Sequence, residues 1–177
     1  HIHLSLKSKD GAPLFHDSGQ PHSMSETMRW FVGGQQRLMP ELLAMIAPTI
    51  NSYRRLIPGF WAPTDATWGA ENRTTALRVI PGSPKSQRVE FRIAAADSNP
   101  YIILAAALAS GLWGIEHRVE PEAQVIGNAY DRKFPARLAL PRTLWDAAQR
   151  LKGSKMGREW FGSDFVERDP REGPCLV

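Results

Sequence analysis

Six arginines and one lysine lie between Arg54 and Arg92, and a strand-like pentapeptide inside that span sets a carboxylate among them. The pentapeptide is Arg88-Val89-Glu90-Phe91-Arg92. Successive side chains of an extended chain alternate between faces, so Arg88, Glu90 and Arg92 point one way and Val89 and Phe91 the other. One face is then plus, minus, plus, and the opposite face is apolar. Arg54, Arg55, Arg73, Arg78 and Lys85 lie shortly upstream. Guanidinium groups grip carboxylates and phosphates through paired N–H donors. A carboxylate beside them can ligate a hard cation. The set suits a site for phosphates and a carboxylate substrate, although such a pentapeptide alone is more often a solvated face with weak ion pairs.

A second group sits at the start of the chain. Residues 1–6 alternate, with His1, His3 and Ser5 on one face and Ile2, Leu4 and Leu6 on the other, which predicts a half-buried strand. Two imidazoles on one strand face can bring at least one ring to a metal, though by itself this spacing more often gives surface histidines. With Glu90 as an oxygen donor from another strand, the set fits Mg²⁺ or Mn²⁺ beside nucleotide phosphates. A structural zinc site would call for cysteines.

The elements that must position these groups read as follows. Ser23 with Glu26 forms a capping-box spacing and starts a helix to about residue 39; Pro40 opens a second helical segment, 41–46, closed by Pro48. Gly33-Gly34 inside a helix costs about 1 kcal/mol per glycine against alanine, so close packing on that face is expected. Residues 53–57 lead to a Pro58-Gly59 turn. Residues 66–70 and 76–80 read as short strands joined through Glu71-Asn72-Arg73. Asn99-Pro100 begins a helix, and residues 101–115 are apolar almost all round, as in a buried helix. Residues 116–137 form a polar excursion, Thr143 caps a helix over 144–151, and residues 156–165 form another short helix. Residues 167–177 read as an exposed tail.

Composition limits the partners. The chain has 177 residues and a net charge of +4, from 22 basic and 18 acidic residues. The basic residues are interleaved with apolar ones rather than gathered in a stripe, which disfavours nucleic-acid binding. Cys175 is the single cysteine, so no disulfide can form within the chain, and a reducing cytoplasm is expected. The longest apolar run, 101–113, is too short to span a membrane. The chain opens at His1, within a strand and without a methionine, and is expected to have lost its N-terminal portion.

Taken in order, His-x-His-x-Ser, Asn51-Ser52-Tyr53-Arg54-Arg55-Leu56-Ile57-Pro58-Gly59-Phe60, Asn72-Arg73-Thr74-Thr75-Ala76-Leu77-Arg78, the Glu90 pentapeptide and Asn99-Pro100-Tyr101 closely resemble the catalytic domain of the glutamine synthetase family. The resemblance covers residues 1–166. It implies an α+β fold with an antiparallel sheet, helices on its outer face and the site on its polar face. The fold is expected to be incomplete at the N-terminus. The implied activity is a carbon–nitrogen ligase of nitrogen metabolism that joins glutamate to ammonia or an amine through a γ-glutamyl phosphate. The co-substrate is ATP and the ion Mg²⁺ or Mn²⁺, in a homo-oligomeric ring. A non-catalytic remnant kept for assembly is the alternative.

By the same resemblance His1 and Glu90 ligate the metal, and His3 and Ser5 contact nucleotide. Arg73, Arg78, Lys85 and Arg88 surround the ATP phosphates, Arg73 also being catalytic. Arg55 grips the glutamate carboxylate, and Arg92 serves both glutamate and the transferred phosphoryl group. Two departures stand out. Trp61 occupies the position where ammonia-using relatives carry a flap glutamate, which implies an organic amine as acceptor. The family's other metal carboxylates are absent from these 177 residues, which are expected to be inactive alone. Tyr130, in Asn128-Ala129-Tyr130-Asp131, falls where some bacterial relatives are adenylylated; an ordinary loop tyrosine is the preferred reading.

Overall fold

The structure is a computed structural model and describes residues 1–57 and 62–167. The Pro58-Gly59 turn, Trp61 and the tail beyond residue 167 lie outside the described residues. Four short strands form one sheet: β1 (Ile2–Leu4), β2 (Trp68–Ala70), β3 (Leu77–Ile80) and β4 (Arg88–Phe91), in the order β1-β4-β3-β2. Six α-helices accompany them: α1 (Glu26–Ile46), α2 (Ile50–Arg55), α3 (Pro100–Glu116), α4 (Leu144–Gly153), α5 (Lys155–Phe161) and α6 (Ser163–Glu167). The α+β class expected from the sequence is the class observed.

The sheet is mixed rather than wholly antiparallel. β1 and β3 both pair antiparallel with β4, but β2 runs parallel to β3. A hairpin would have reversed the chain after Ala70. Instead Glu71 takes a left-handed backbone (φ 50°), and the Asn72 side chain accepts from the Thr74 N–H at 2.9 Å and its hydroxyl at 2.6 Å. The chain is folded back on itself, and Leu77 N–H reaches the Thr67 carbonyl at 2.9 Å. β3 therefore starts again beside the beginning of β2.

Register lines up the side chains by face. His3 pairs with Glu90, and Glu90 with Arg78, so these three form a row across one face. Ile2, Leu4, Leu77, Val79, Val89 and Phe91 occupy the other face; the last four join Met28, Phe31, Val32, Leu42 and Leu43 of α1 in a single buried core.

The long first helix departs from expectation twice. Its N-cap is Ser25, whose hydroxyl accepts from Met28 N–H at 3.1 Å and donates to the Leu14 carbonyl at 2.6 Å. Ser23 instead closes a 3-10 turn with a left-handed backbone (φ 51°). The tertiary bond to Leu14 decides between two serines of similar capping ability. Pro40 lies inside one continuous helix rather than opening a second. An internal proline costs about 3 kcal/mol. Met39, Leu42, Leu43, Met45 and Ile46 are all almost fully buried around it, and each such side chain stabilises by about 2 kcal/mol. Burial wins.

The glycine pair in α1 behaves as predicted. A Cβ on Gly34 would stand 2.2 Å from the Ser110 carbonyl oxygen and 2.5 Å from Gly114 Cα, both backbone atoms of α3. No side-chain rotation relieves such a contact. Gly34→Val is expected to destabilise the fold by about 3 kcal/mol or more, as overpacking at a backbone–backbone contact does; chemical denaturation measures it.

α3 starts as expected, with Asn99 accepting from Tyr101 N–H at 3.0 Å. It is not buried all round. Ala106, Ala107, Ser110, Gly111 and Gly114 face inward, while Tyr101, Leu104 and Leu108 are 81%, 44% and 39% exposed. Small residues, not the large apolar ones, were selected for the face against α1. Thr143 caps α4 as read, and the expected helix over 156–165 is split into α5 and α6 at Gly162 (φ 87°).

Candidate functional site

Glu90 is the centre of the polar sheet face. Its side chain is only 5% exposed, and its carboxylate meets three cationic or potentially cationic groups. His1 Nδ1 lies 2.8 Å from Oε1, Arg92 donates to Oε1 at 3.2 Å, and Arg78 donates to Oε2 at 3.2 Å. A solvated strand face is thereby excluded for this residue. Burying a lone carboxylate would cost several kcal/mol, and the surrounding donors are what allow it.

Arg78 is held from both sides. Its second nitrogen pairs with Glu71, so the guanidinium bridges Glu71 and Glu90. Burial works against the Arg78 charge, but hydrogen bonds and charge from Glu71 and Glu90 prevail and raise its pKa above the usual arginine range. Arg88 turns to the neighbouring edge, where it donates to His3 Nδ1 at 3.3 Å and to the Ser86 carbonyl at 2.8 Å.

Arg55 comes from a different element. α2 is fixed by a capping box between Thr49 and Ser52, and Thr49 and Ser52 hydroxyls both donate to Asp97, at 2.6 and 3.3 Å. This latch ties α2 to the segment after β4. Arg55 then donates to the carbonyls of Ile93 and Ala94, at 2.7 and 3.3 Å. Its pKa is lowered, first by burial and further by the like charge of Arg92, with Asp97 opposing. The two bonds to Ile93 and Ala94 bring Arg55 to the backbone that directly follows Arg92. Breaking the latch with Thr49→Ala should cost about 1 kcal/mol of stability, the value of an N-cap, read by thermal melting.

The remaining sequence-selected residues are placed more loosely. Ser5, Arg73 and Lys85 are exposed, and none makes a side-chain hydrogen bond or ion pair among the described residues. The structure brings His1, Arg78, Glu90 and Arg92 into direct contact, joins His3 to Arg88, and leaves Ser5, Arg73 and Lys85 at the rim. Sequence reasoning missed Glu71, which looked like linker, and the Thr49–Ser52–Asp97 latch. The Thr49-x-x-Ser52 spacing was visible; its acceptor, 45 residues beyond Ser52, was not.

One imidazole nitrogen and one carboxylate oxygen at 2.8 Å suit a hard divalent ion that takes its other ligands from water and phosphate oxygens. They do not suffice for several ions. Among the described residues no group of three or more His, Cys, Asp or Glu side chains is arranged to hold a metal.

Residues 1–168 match the family model for the glutamine synthetase catalytic domain. The chain belongs to the glutamine synthetase family. Among relatives, a type-1 glutamine synthetase of Dictyostelium discoideum is 45% identical over 94% of this chain and 32% of its own length. A glutamate–isopropylamine ligase of a Pseudomonas species is 40% identical over 94% of this chain and 36% of its own. A γ-glutamylethanolamide synthetase of Streptomyces coelicolor is 42% identical, over 94% and 34%. Ligand-free GmaS superposes with a TM-score of 0.82 at 32% identity, covering 93% of this chain and 38% of that one. The chain thus spans about a third of the length of these family members. No described helix is long and apolar enough to cross a membrane.

Proposed function

We propose that the complete protein carrying this chain is an ATP-dependent ligase that joins the side-chain carboxylate of glutamate to an organic amine. The observation carrying this reading is the buried Glu90 carboxylate that gathers His1, Arg78 and Arg92 on the polar sheet face, with Arg55 anchored on the Ile93 and Ala94 carbonyls directly after Arg92. Guanidinium groups gathered in this way suit an anionic substrate, and a carboxylate is met by their paired N–H donors.

In the proposed reaction a carboxylate oxygen of glutamate attacks the γ-phosphorus of ATP and ADP leaves. The amine nitrogen then attacks the acyl carbon, phosphate departs carrying the former carboxylate oxygen, and the nitrogen loses a proton. Arg55 and Arg92 orient the carboxylate. Arg78 and Arg88, with Arg73, Lys85, His3 and Ser5 at the rim, neutralise and place the phosphates, since phosphoryl transfer depends chiefly on positioning and charge. His1 and Glu90 would hold one Mg²⁺ or Mn²⁺. When bound, that ion supplies further neutralisation of phosphate charge.

Trp61 supports an organic acceptor. An indole neither takes a proton nor attracts ammonium by charge, whereas its apolar ring has the chemistry to face an alkyl group and keep out water. The isopropylamine and ethanolamide activities named for two relatives agree with that choice. Product formation from ammonium compared with a panel of alkylamines and polyamines tests it; ammonium used as well as any amine overturns the organic-amine assignment.

The two donors His1 and Glu90 fall short of what several ions need, so these 177 residues alone are expected to make little or no amide. Robust ATP-dependent synthesis by the isolated chain contradicts that. The second reading is a non-catalytic form retained for assembly. Thermal stabilisation by ATP and Mg²⁺ in the complete protein separates the two: the ligase is stabilised, the remnant is not. The ring assembly implied by the family, and a cytoplasmic location supplying ATP, form part of the same proposal.

A further inference from the structure

Tyr130 stands in a loop that the fold takes trouble to hold. Asn72 Nδ2 donates to the carbonyls of Val125 and Gly127, at 3.1 and 2.8 Å. Thr74 Oγ1 accepts from Ala129 N–H at 2.9 Å, and Asn128 caps the 3-10 turn Ala129–Asp131 by accepting from Tyr130 N–H at 3.1 Å. The loop is thus strapped to the turn that leads into β3. Two residues past Thr74, the Ala76 carbonyl accepts the backbone N–H of Arg92 at 3.0 Å. The strap therefore ties the loop of Tyr130 to the same connection whose end holds the backbone of Arg92, the residue that follows β4.

Two polar atoms there have no partner among the described residues, although both are shielded from solvent: the Tyr130 hydroxyl and Arg92 Nε. Both can donate a hydrogen bond. Leaving a buried donor unmatched is costly, and native structures that do so usually hold a ligand or water there. The charge of Arg92 is also felt at Tyr130: burial raises the tyrosine pKa, and Arg92 pulls it partly back. The hydroxyl is not presented at the surface as a nucleophile would be. It is shielded from solvent.

We propose that Tyr130 is a substrate-binding residue, its hydroxyl donating, together with Arg92 Nε–H, to an oxygen of the glutamate carboxylate. This rests on the ligase reading above and adds a neutral donor to a set otherwise made of guanidinium groups. A neutral donor adds direction without adding further positive charge to the site.

The test uses the complete protein, first as wild type with ATP, Mg²⁺, glutamate and the amine panel, then as Tyr130→Phe. Phenylalanine keeps the ring and removes one oxygen. The KM for glutamate is expected to rise about ten- to a hundredfold, as for loss of one hydrogen bond to a charged group, while the KM for ATP stays within about twofold. An unchanged glutamate KM, or equal rises in both constants with a lowered melting temperature, overturns the inference and leaves the ligase reading intact. Wild-type protein without ATP-dependent amide synthesis for any amine overturns both.

Discussion

Replacing Glu90 with alanine is expected to destabilise the protein by about 3–5 kcal/mol, the range for removing one partner from a buried ionic group, and to abolish measurable amide synthesis. The reason is local. The 5%-exposed carboxylate is the one group that lets Arg78, Arg92 and His1 approach each other on the same sheet face. Without it, Arg92 remains buried without its counter-ion, Arg78 keeps only its pairing with Glu71, and the hard oxygen proposed for the divalent ion is lost. Glu90→Gln separates the two effects. Glutamine keeps the shape and part of the hydrogen bonding but not the charge, so more of the fold should survive while activity still fails. Denaturant unfolding and an amide-synthesis assay on both variants check this pair of expectations. A stable Glu90→Ala protein with normal turnover would show that the site lies elsewhere.

The second large effect is expected at Arg92. Arg92→Lys keeps a positive charge beside Glu90 but removes the planar fork, including the buried Nε–H that has no partner among the described residues. Lysine offers a point charge on a flexible stem. The specificity constant kcat/KM for glutamate is therefore expected to fall about a hundredfold or more, in line with loss of paired, charge-assisted hydrogen bonds. The melting temperature should change little by comparison, because the ion pair with Glu90 can re-form. Steady-state kinetics with glutamate and ATP varied separately provide the measurement. Equal losses for both substrates would indicate general disorder of the site rather than a specific hold on the carboxylate.

Much of this arrangement was readable from side-chain alternation. The period of two in residues 1–6 and 88–92 separated the histidines, Glu90 and the arginines from the apolar residues, and strand register then placed His3, Glu90 and Arg78 in one row. Alternation sorts faces but says nothing of depth. On the polar face of β4, Arg88 is only partly buried, but Glu90 is buried almost as well as the apolar face, at 4% exposure against 0% for Val89. That depth separates a structural ion cluster from ornamental surface charge, and it depends on what chain folds over the sheet.

Local signals erred where a long-range contact outweighed them. By local rules the capping-box spacing to Glu26 favours Ser23, yet the cap is Ser25, to which Leu14 supplies a carbonyl. Pro40 is a breaker by local rules until the apolar neighbours on both sides are buried. The apolar α3 looked wholly internal because composition cannot say which face the small residues will claim. That Arg55 reaches the segment after β4 was legible only through family resemblance, since nothing in spacing brings α2 to the end of β4. The latch through Asp97 does that.

Isotope transfer offers the most direct measurement of the central claim, that this site holds a carboxylate for activation by ATP. The complete protein would be given glutamate labelled with ¹⁸O in its side-chain carboxylate, together with ATP, Mg²⁺ and the preferred amine, and the released phosphate examined by mass spectrometry. An acyl-phosphate route requires one labelled oxygen to pass to phosphate for each amide formed. Amide formed with unlabelled phosphate, or with the label in AMP, would contradict the account.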